Sequence, residues 1–181
     1  MKEPHSKPHN TKFNIETNPK ELFFAAAGFD YASIKLKEKI SLVVSLDTPF
    51  LVNEIFAIEL YIKCIVAIEN NNFFRSGHEL TSLFSDLSSE AQENVEKYFY
   101  AYVYKLKQFR GYTINGVHLT LNKALEINNK SFQELRYYFE KKDSNNHISA
   151  IATAEIKRAL CHYIITIRPE WNKEFQSKIN K

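Results

Sequence analysis

Glycine is scarce in this chain, with 4 residues in 181, and proline adds only 5. Tight hairpin turns draw on both residues, so a many-stranded β fold is disfavoured. No uninterrupted apolar run approaches the ~20 residues of a membrane helix, and no membrane partner is expected. The first residues lack the charged, then apolar, then small-residue order of a signal peptide, so the expected location is cytoplasmic. No Gly-rich phosphate loop, Cys-x-x-Cys pair or His-Glu-x-x-His pattern occurs, and no internal repeat of 20 to 50 residues appears. No cofactor and no metal site is therefore expected. A net charge of +3 is too weak to hold a nucleic-acid backbone unless the basic residues cluster. The two cysteines, Cys64 and Cys161, both sit in apolar-periodic runs. They read as buried free thiols in a reducing cytosol, with a disulfide as the other reading.

What the chain has in quantity is aromatic: 14 Phe and 10 Tyr. Rings bury large areas at low entropic cost, which suits helix packing or an interface. The length allows one domain with a true core.

Residues 1–17 carry two prolines and several charges with little to bury, and are expected to be a disordered tail. His5 and His9 lie in it without the Cys or carboxylate cluster that would complete a metal site. A first helix begins at Asn18-Pro19, a cap followed by proline, with Glu21 in the first turn. Leu22, Ala26, Phe29, Ser33, Leu36 and Ile40 trace its inner face, and Gly28 is a candidate for close approach by another helix. The run Leu42 to Leu46 either extends this helix or forms a bend. Asp47-Thr48-Pro49 opens a second helix reaching about Asn70, apolar over so much of its circumference that it should be central. Glu59 and Lys63 lie four apart within it, in the favourable acid-first order.

Gly77-His78-Glu79-Leu80 is read as the start of a third helix, with His78 in its first turn as a neutral ring. Ser89 and Gln92 form a capping box for a fourth helix, around which Tyr98, Tyr100, Tyr102 and Tyr104 spread. After an Arg110–Gly116 loop, a helix over 118–127 is expected to break at Asn128-Asn129-Lys130. Ser131 and Glu134 then restart it as a second capping box. A last helix over about 148–168 stops at Pro169, and Trp171 and Phe175 in the C-terminal tail either dock a final turn or fray.

Two separated segments resemble one family. Ala57 to Cys64 (AIELYIKC), followed after a loop by Gly77 to Leu83 (GHELTSL), is similar to the A-x-E-x-x-x-K … G-H-D-L-x-x-L pattern of HEPN domains, helical nucleotide-binding domains of prokaryotes and higher eukaryotes. Phe132 to Glu140 (FQELRYYFE) is similar to a third segment of that family. The resemblance implies an all-α, up-and-down helical bundle of about five to six helices over residues 18–168, flanked by the tails 1–17 and 169–181. It also implies a homodimer in a bacterial toxin-antitoxin or defence setting, with a nucleotidyltransferase, a nucleotide or RNA as possible partner.

Many family members are metal-independent ribonucleases with Arg and His separated by four to six residues. Here Arg75 and His78 have two residues between them, Arg110 and His118 seven, Arg136 and His147 ten, and Arg158 and His162 three. None fits. Arg158 and His162 share one helix face and are the candidate catalytic pair if a displaced site exists; otherwise Arg158 is a surface charge and His162 a satisfied polar group. Glu59, Lys63, His78 and Arg136 are either a buried polar network or, with Tyr137 stacking on a base, a pocket for a nucleotide or other anion. The expected function is a non-catalytic binding domain. The alternatives are a ribonuclease with a displaced Arg/His site and an all-α assembly protein without a ligand.

Overall fold

The computed structural model describes residues 12–39, 47–105, 113–114, 117–136 and 150–179. Among them are seven helices and two minimal two-stranded ribbons, an all-α bundle. The run Leu42 to Leu46, Arg110, Tyr137, His147 and the side chains of His118 and Arg136 lie outside the described residues, as do His5 and His9.

α1 spans Pro19–Lys37 and starts as its sequence dictates: Asn18 is extended, and its Oδ1 accepts the Lys20 amide at 3.0 Å. The helix ends before Ile40, and its buried face is Phe23, Ala26, Ala27 and Ser33, rotated slightly from the expected stripe. Gly28 is exposed and meets no neighbour, so it permits no close approach. α2, Asp47–Glu69, runs antiparallel to α1, since the start of one lies against the end of the other in both the Ser33–Glu54 and Pro19–Cys64 contacts. It is the axis of the fold. Every residue from Ala57 to Ala67 except Leu60 is buried. Each fully buried Ile or Leu contributes roughly 1.5–3 kcal/mol of transfer free energy, so the isoleucines at 55, 58, 62 and 65, all 0% exposed, carry much of the core. That burial outweighs the modest helix propensity of β-branched residues.

Asn71 and Asn72, with φ of 52° and 73°, end α2 in the left-handed region that asparagine tolerates. The chain turns back into β2, Phe73–Phe74, which pairs antiparallel with β1, Ile15–Glu16. Residues 12–17 of the expected tail therefore lie on the body, with Lys12 paired to Asp86, whose side chain is 1% exposed.

α3 is only Leu80–Phe84. Gly77, His78 and Glu79 precede it, so His78 is not in a helical first turn, and the expected dipole argument for its ring does not apply. Gly77 has φ +124°, a conformation that side-chain-bearing residues avoid, and this holds the chain out of the helix until Leu80. α4 spans Ser89–Lys105, and its cap is Ser88 rather than Ser89: the Ser88 hydroxyl accepts the Ala91 amide at 3.2 Å. Gln92 reaches back to the Leu87 carbonyl instead of closing the expected box.

β3, Thr113–Ile114, and β4, Val117–His118, form the second ribbon, and α5 runs unbroken over Leu121–Arg136. The expected break at Asn128 is absent. Asn128 is 0% exposed and spends its amide on another segment, donating to the Ile151 carbonyl at 2.8 Å and accepting the Ile151 amide at 3.0 Å. Ser131 bonds the Ile127 carbonyl one turn back rather than capping a new helix. α6 begins at Thr153, five residues later than the sequence suggests, after Ala152 with φ 51°. It runs parallel to α2 and antiparallel to α4, as the Thr153–Glu54 and Tyr102–His162 contacts require. Pro169 ends α6 and at once supplies the first position of α7, Pro169–Ile179. α7 docks: Trp171 and Phe175 pack on Phe23 with ring centroids 5.8 and 6.3 Å away.

Replacing Asn128 with alanine strands the donor and acceptor of Ile151, at about 1–3 kcal/mol each. An unfolding free energy from urea titration lowered by about 2 kcal/mol or more is expected, whereas a surface control such as Asn122→Ala should be within about 0.5 kcal/mol of wild type. Ala152→Gly relieves a left-handed alanine and should raise the unfolding free energy by roughly 0.5–1 kcal/mol.

Candidate functional site

Two polar clusters interrupt this apolar core. The first was sought in the sequence. Glu59, on the buried side of α2, is 1% exposed. Its Oε1 accepts Lys63 Nζ at 2.8 Å from one turn further along the helix. The same oxygen faces His78 Nδ1 at 2.9 Å from the loop before α3. Two separated motifs are thereby brought to one carboxylate. Lys63 also lies over the Phe74 ring, 5.3 Å from its centroid. The His78 side chain is 56% exposed, so one edge of the imidazole is held by a buried acid while the other meets solvent. Among the described residues Glu59 Oε2 has no hydrogen-bond partner, and an unpaired buried polar atom costs about 1–3 kcal/mol.

Arg75, three residues before His78, is fixed from the far side. Its Nε donates to Asp86 and its Nη2 to Ser82. Its Nη1 lies 3.8 Å from where a Cβ on Gly77 would stand, and makes no hydrogen bond among the described residues. Asp86 was not singled out in the sequence, and Arg75 was weighed there only for its spacing from His78.

Arg158 and His162, the candidate catalytic pair, lie on α6 as their spacing requires. Arg158 is exposed. His162 is half-buried and engaged twice: its ring stacks on Tyr98 at 4.0 Å with 12° between planes, and its Nδ1 lies 2.9 Å from the Tyr102 hydroxyl. These contacts tie α4 to α6, and they account for two of the four tyrosines of α4. Tyr104, at 64% exposure, is the most exposed large hydrophobic side chain among the described residues.

The second cluster was missed. Lys157 of α6, 3% exposed, inserts its ammonium between Asp30 of α1 and Glu54 of α2, bonding both. It also donates to Ser33 Oγ at 3.1 Å. Ser33 Oγ lies 2.6 Å from Glu54 Oε1, and Thr153 donates to the other oxygen, so Glu54 is fully satisfied. Burial acts to raise the Glu54 pKa, but the Lys157 charge and the hydrogen bonds from Lys157, Ser33 and Thr153 outweigh it and leave the carboxyl below its usual range. A signal existed: Glu54 falls on the apolar stripe between Leu51 and Ile58, and Lys157 lies beside Ile156 on the buried face of α6.

Neither cysteine offers a ready nucleophile. Cys64 and Cys161 are free, and burial pushes the Cys161 thiol up to about 11 and the Cys64 thiol higher still. No group of three or more metal-ligating side chains occurs among the described residues. No described helix is long and apolar enough to cross a membrane.

No protein-family model, no curated protein and no solved structure matches this chain.

The Glu54–Lys157 pair makes a signed prediction. A carboxylate whose pKa is lowered by folding adds stability above its unfolded value, about 4.3, and loses it as pH falls through the folded value. Lys157→Met leaves Glu54 buried without its cation, at a cost of roughly 3–5 kcal/mol. Burial, the largest influence on Glu54, is then opposed only by the hydrogen bonds from Ser33 and Thr153, so the Glu54 pKa rises and the sign reverses. Urea unfolding should show wild type losing stability below about pH 4.3, and Lys157→Met gaining it between pH 7 and 5. A flat variant profile would show that Glu54 binds the same number of protons folded and unfolded, and that burial does not raise its pKa.

Proposed function

We infer that this chain is a non-catalytic, HEPN-like binding domain that engages its partner through the corner built by Glu59, Lys63 and His78. The carrying observation is that a buried acid, one of whose oxygens is unpaired among the described residues, holds a half-exposed imidazole in a fixed orientation. Internal packing has no need of that arrangement, since one face of the imidazole is spent on solvent. A nucleotide or RNA is the ligand class this reading favours, because the loop carrying His78 also carries Arg75 and the adjoining, partly exposed Phe73 suits a base or ribose. A homodimer or a nucleotidyltransferase partner in a toxin-antitoxin or defence setting accords with the same family resemblance. The engagement of His162 by Tyr98 and Tyr102 supports the non-catalytic reading, since both its face and its Nδ1 are already occupied.

The test is calorimetric titration of the whole chain with a nucleotide panel and single-stranded RNA, in a chelating buffer, with recovered RNA analysed for cleavage. Binding weakened about tenfold or more by His78→Ala, with RNA intact, is the expected outcome. Cleavage abolished by His162→Ala would replace this reading with the displaced ribonuclease site. No binding to any probe, together with a tight homodimer by analytical ultracentrifugation, would leave an assembly protein.

A further inference from the structure

The loop Arg75–His78 has donors that the fold does not use. The amides of Ser76, Gly77 and His78 make no hydrogen bond among the described residues. Arg75 is anchored through Nε and Nη2, which leaves Nη1 free beside Gly77, where the absence of a side chain keeps the approach open. His78 is anchored through Nδ1, and its Nε2 is free. An imidazole whose Nδ1 proton is directed at a carboxylate can take a second proton at Nε2 and present it outward. A fixed guanidinium, an outward imidazole N–H and free main-chain amides around a glycine are complementary to a tetrahedral oxyanion.

We propose that the Arg75–His78 loop is a phosphate-binding site, with Arg75 Nη1 and His78 Nε2 as its side-chain donors and Glu59 as the residue that orients His78. This rests on the binding reading above and deepens it by naming the recognised group as phosphate and adding Arg75 to the site. The charged groups around His78 among the described residues are Glu59 and Lys63 of α2, and Arg75 and Glu79 on the loop itself; α5 contributes the neutral Asn129, whose Oδ1 accepts the Leu80 amide. The phosphate belongs either to a free nucleotide or to an RNA backbone, which share this chemistry.

The experiment follows the imidazole and backbone amide NMR signals of His78 and the amide of Gly77 in the whole, ¹⁵N-labelled chain. The probes are inorganic phosphate, adenosine 5′-monophosphate, adenosine and a short oligoribonucleotide. The site predicts that the monophosphate or the oligonucleotide shifts these signals and that its binding is weakened about tenfold or more by His78→Gln and by Arg75→Lys. Arg75→Lys retains a cation for Asp86 but loses the forked geometry. Shifts from the monophosphate identify the free nucleotide as source, and shifts from the oligonucleotide alone identify the RNA backbone. Adenosine binding as tightly as its monophosphate would overturn the phosphate site and leave the binding reading standing. Phosphate-dependent binding that neither moves His78 nor responds to either variant would place the ligand elsewhere and overturn the site. Silence from every probe would overturn both.

Discussion

The bundle depends on one buried ammonium. Lys157 reaches from α6 to Asp30 of α1 and Glu54 of α2, so the last part of the bundle meets its first two helices at a single nitrogen. Apolar packing alone tolerates sliding and rotation of one helix on another, because a stripe of isoleucines offers many near-equivalent registers. A charge buried at 3% exposure does not, since any register that separates it from its acids leaves an ion stranded in a low dielectric. In this chain that requirement fixes α2 rotationally. With α2 fixed, Glu59 lies a little over one turn beyond Glu54, and the orientation of the second polar cluster follows from the first.

The two clusters differ in how completely they are satisfied. Glu54 has donors on both oxygens, from Lys157, Ser33 and Thr153. Among the described residues Glu59 has two partners crowded on one oxygen and none on the other. A closed network is a device for holding helices together, whereas an open one, bordered by an exposed imidazole, has capacity left over. This contrast is why the proposed function is assigned to Glu59 and His78 and not to the more heavily charged site beneath α1.

Much of the fold was legible in the sequence where local and tertiary preferences agree. The Asn18-Pro19 start, the central position of α2 and the Glu59–Lys63 pair all follow from spacing and side-chain chemistry within a turn or two. Legibility failed where a side chain serves a distant segment. Asn128 reads locally as a helix breaker, but its amide closes on Ile151, and α5 runs straight through. Ser89 reads as a cap, yet Ser88 does that work, placed by its bond to Glu69 at the end of α2. Of the candidate site, the Glu59–His78 meeting was anticipated from paired motifs, but the role of Arg75 was not. Its anchoring by Asp86 and Ser82 arises only once α3 has folded back over the loop.

The short ribbon formed by Ile15–Glu16 with Phe73–Phe74 has a practical consequence for work on this protein. Because Lys12 is paired with Asp86 and the Thr17 amide bonds the Asn72 carbonyl, the chain enters the body within a few residues of the Arg75–His78 loop. An affinity handle or fusion partner joined ahead of Lys12 would therefore crowd that loop, and a cationic handle such as polyhistidine would compete there for any anion. Purification and immobilisation are better directed to the opposite terminus, past α7.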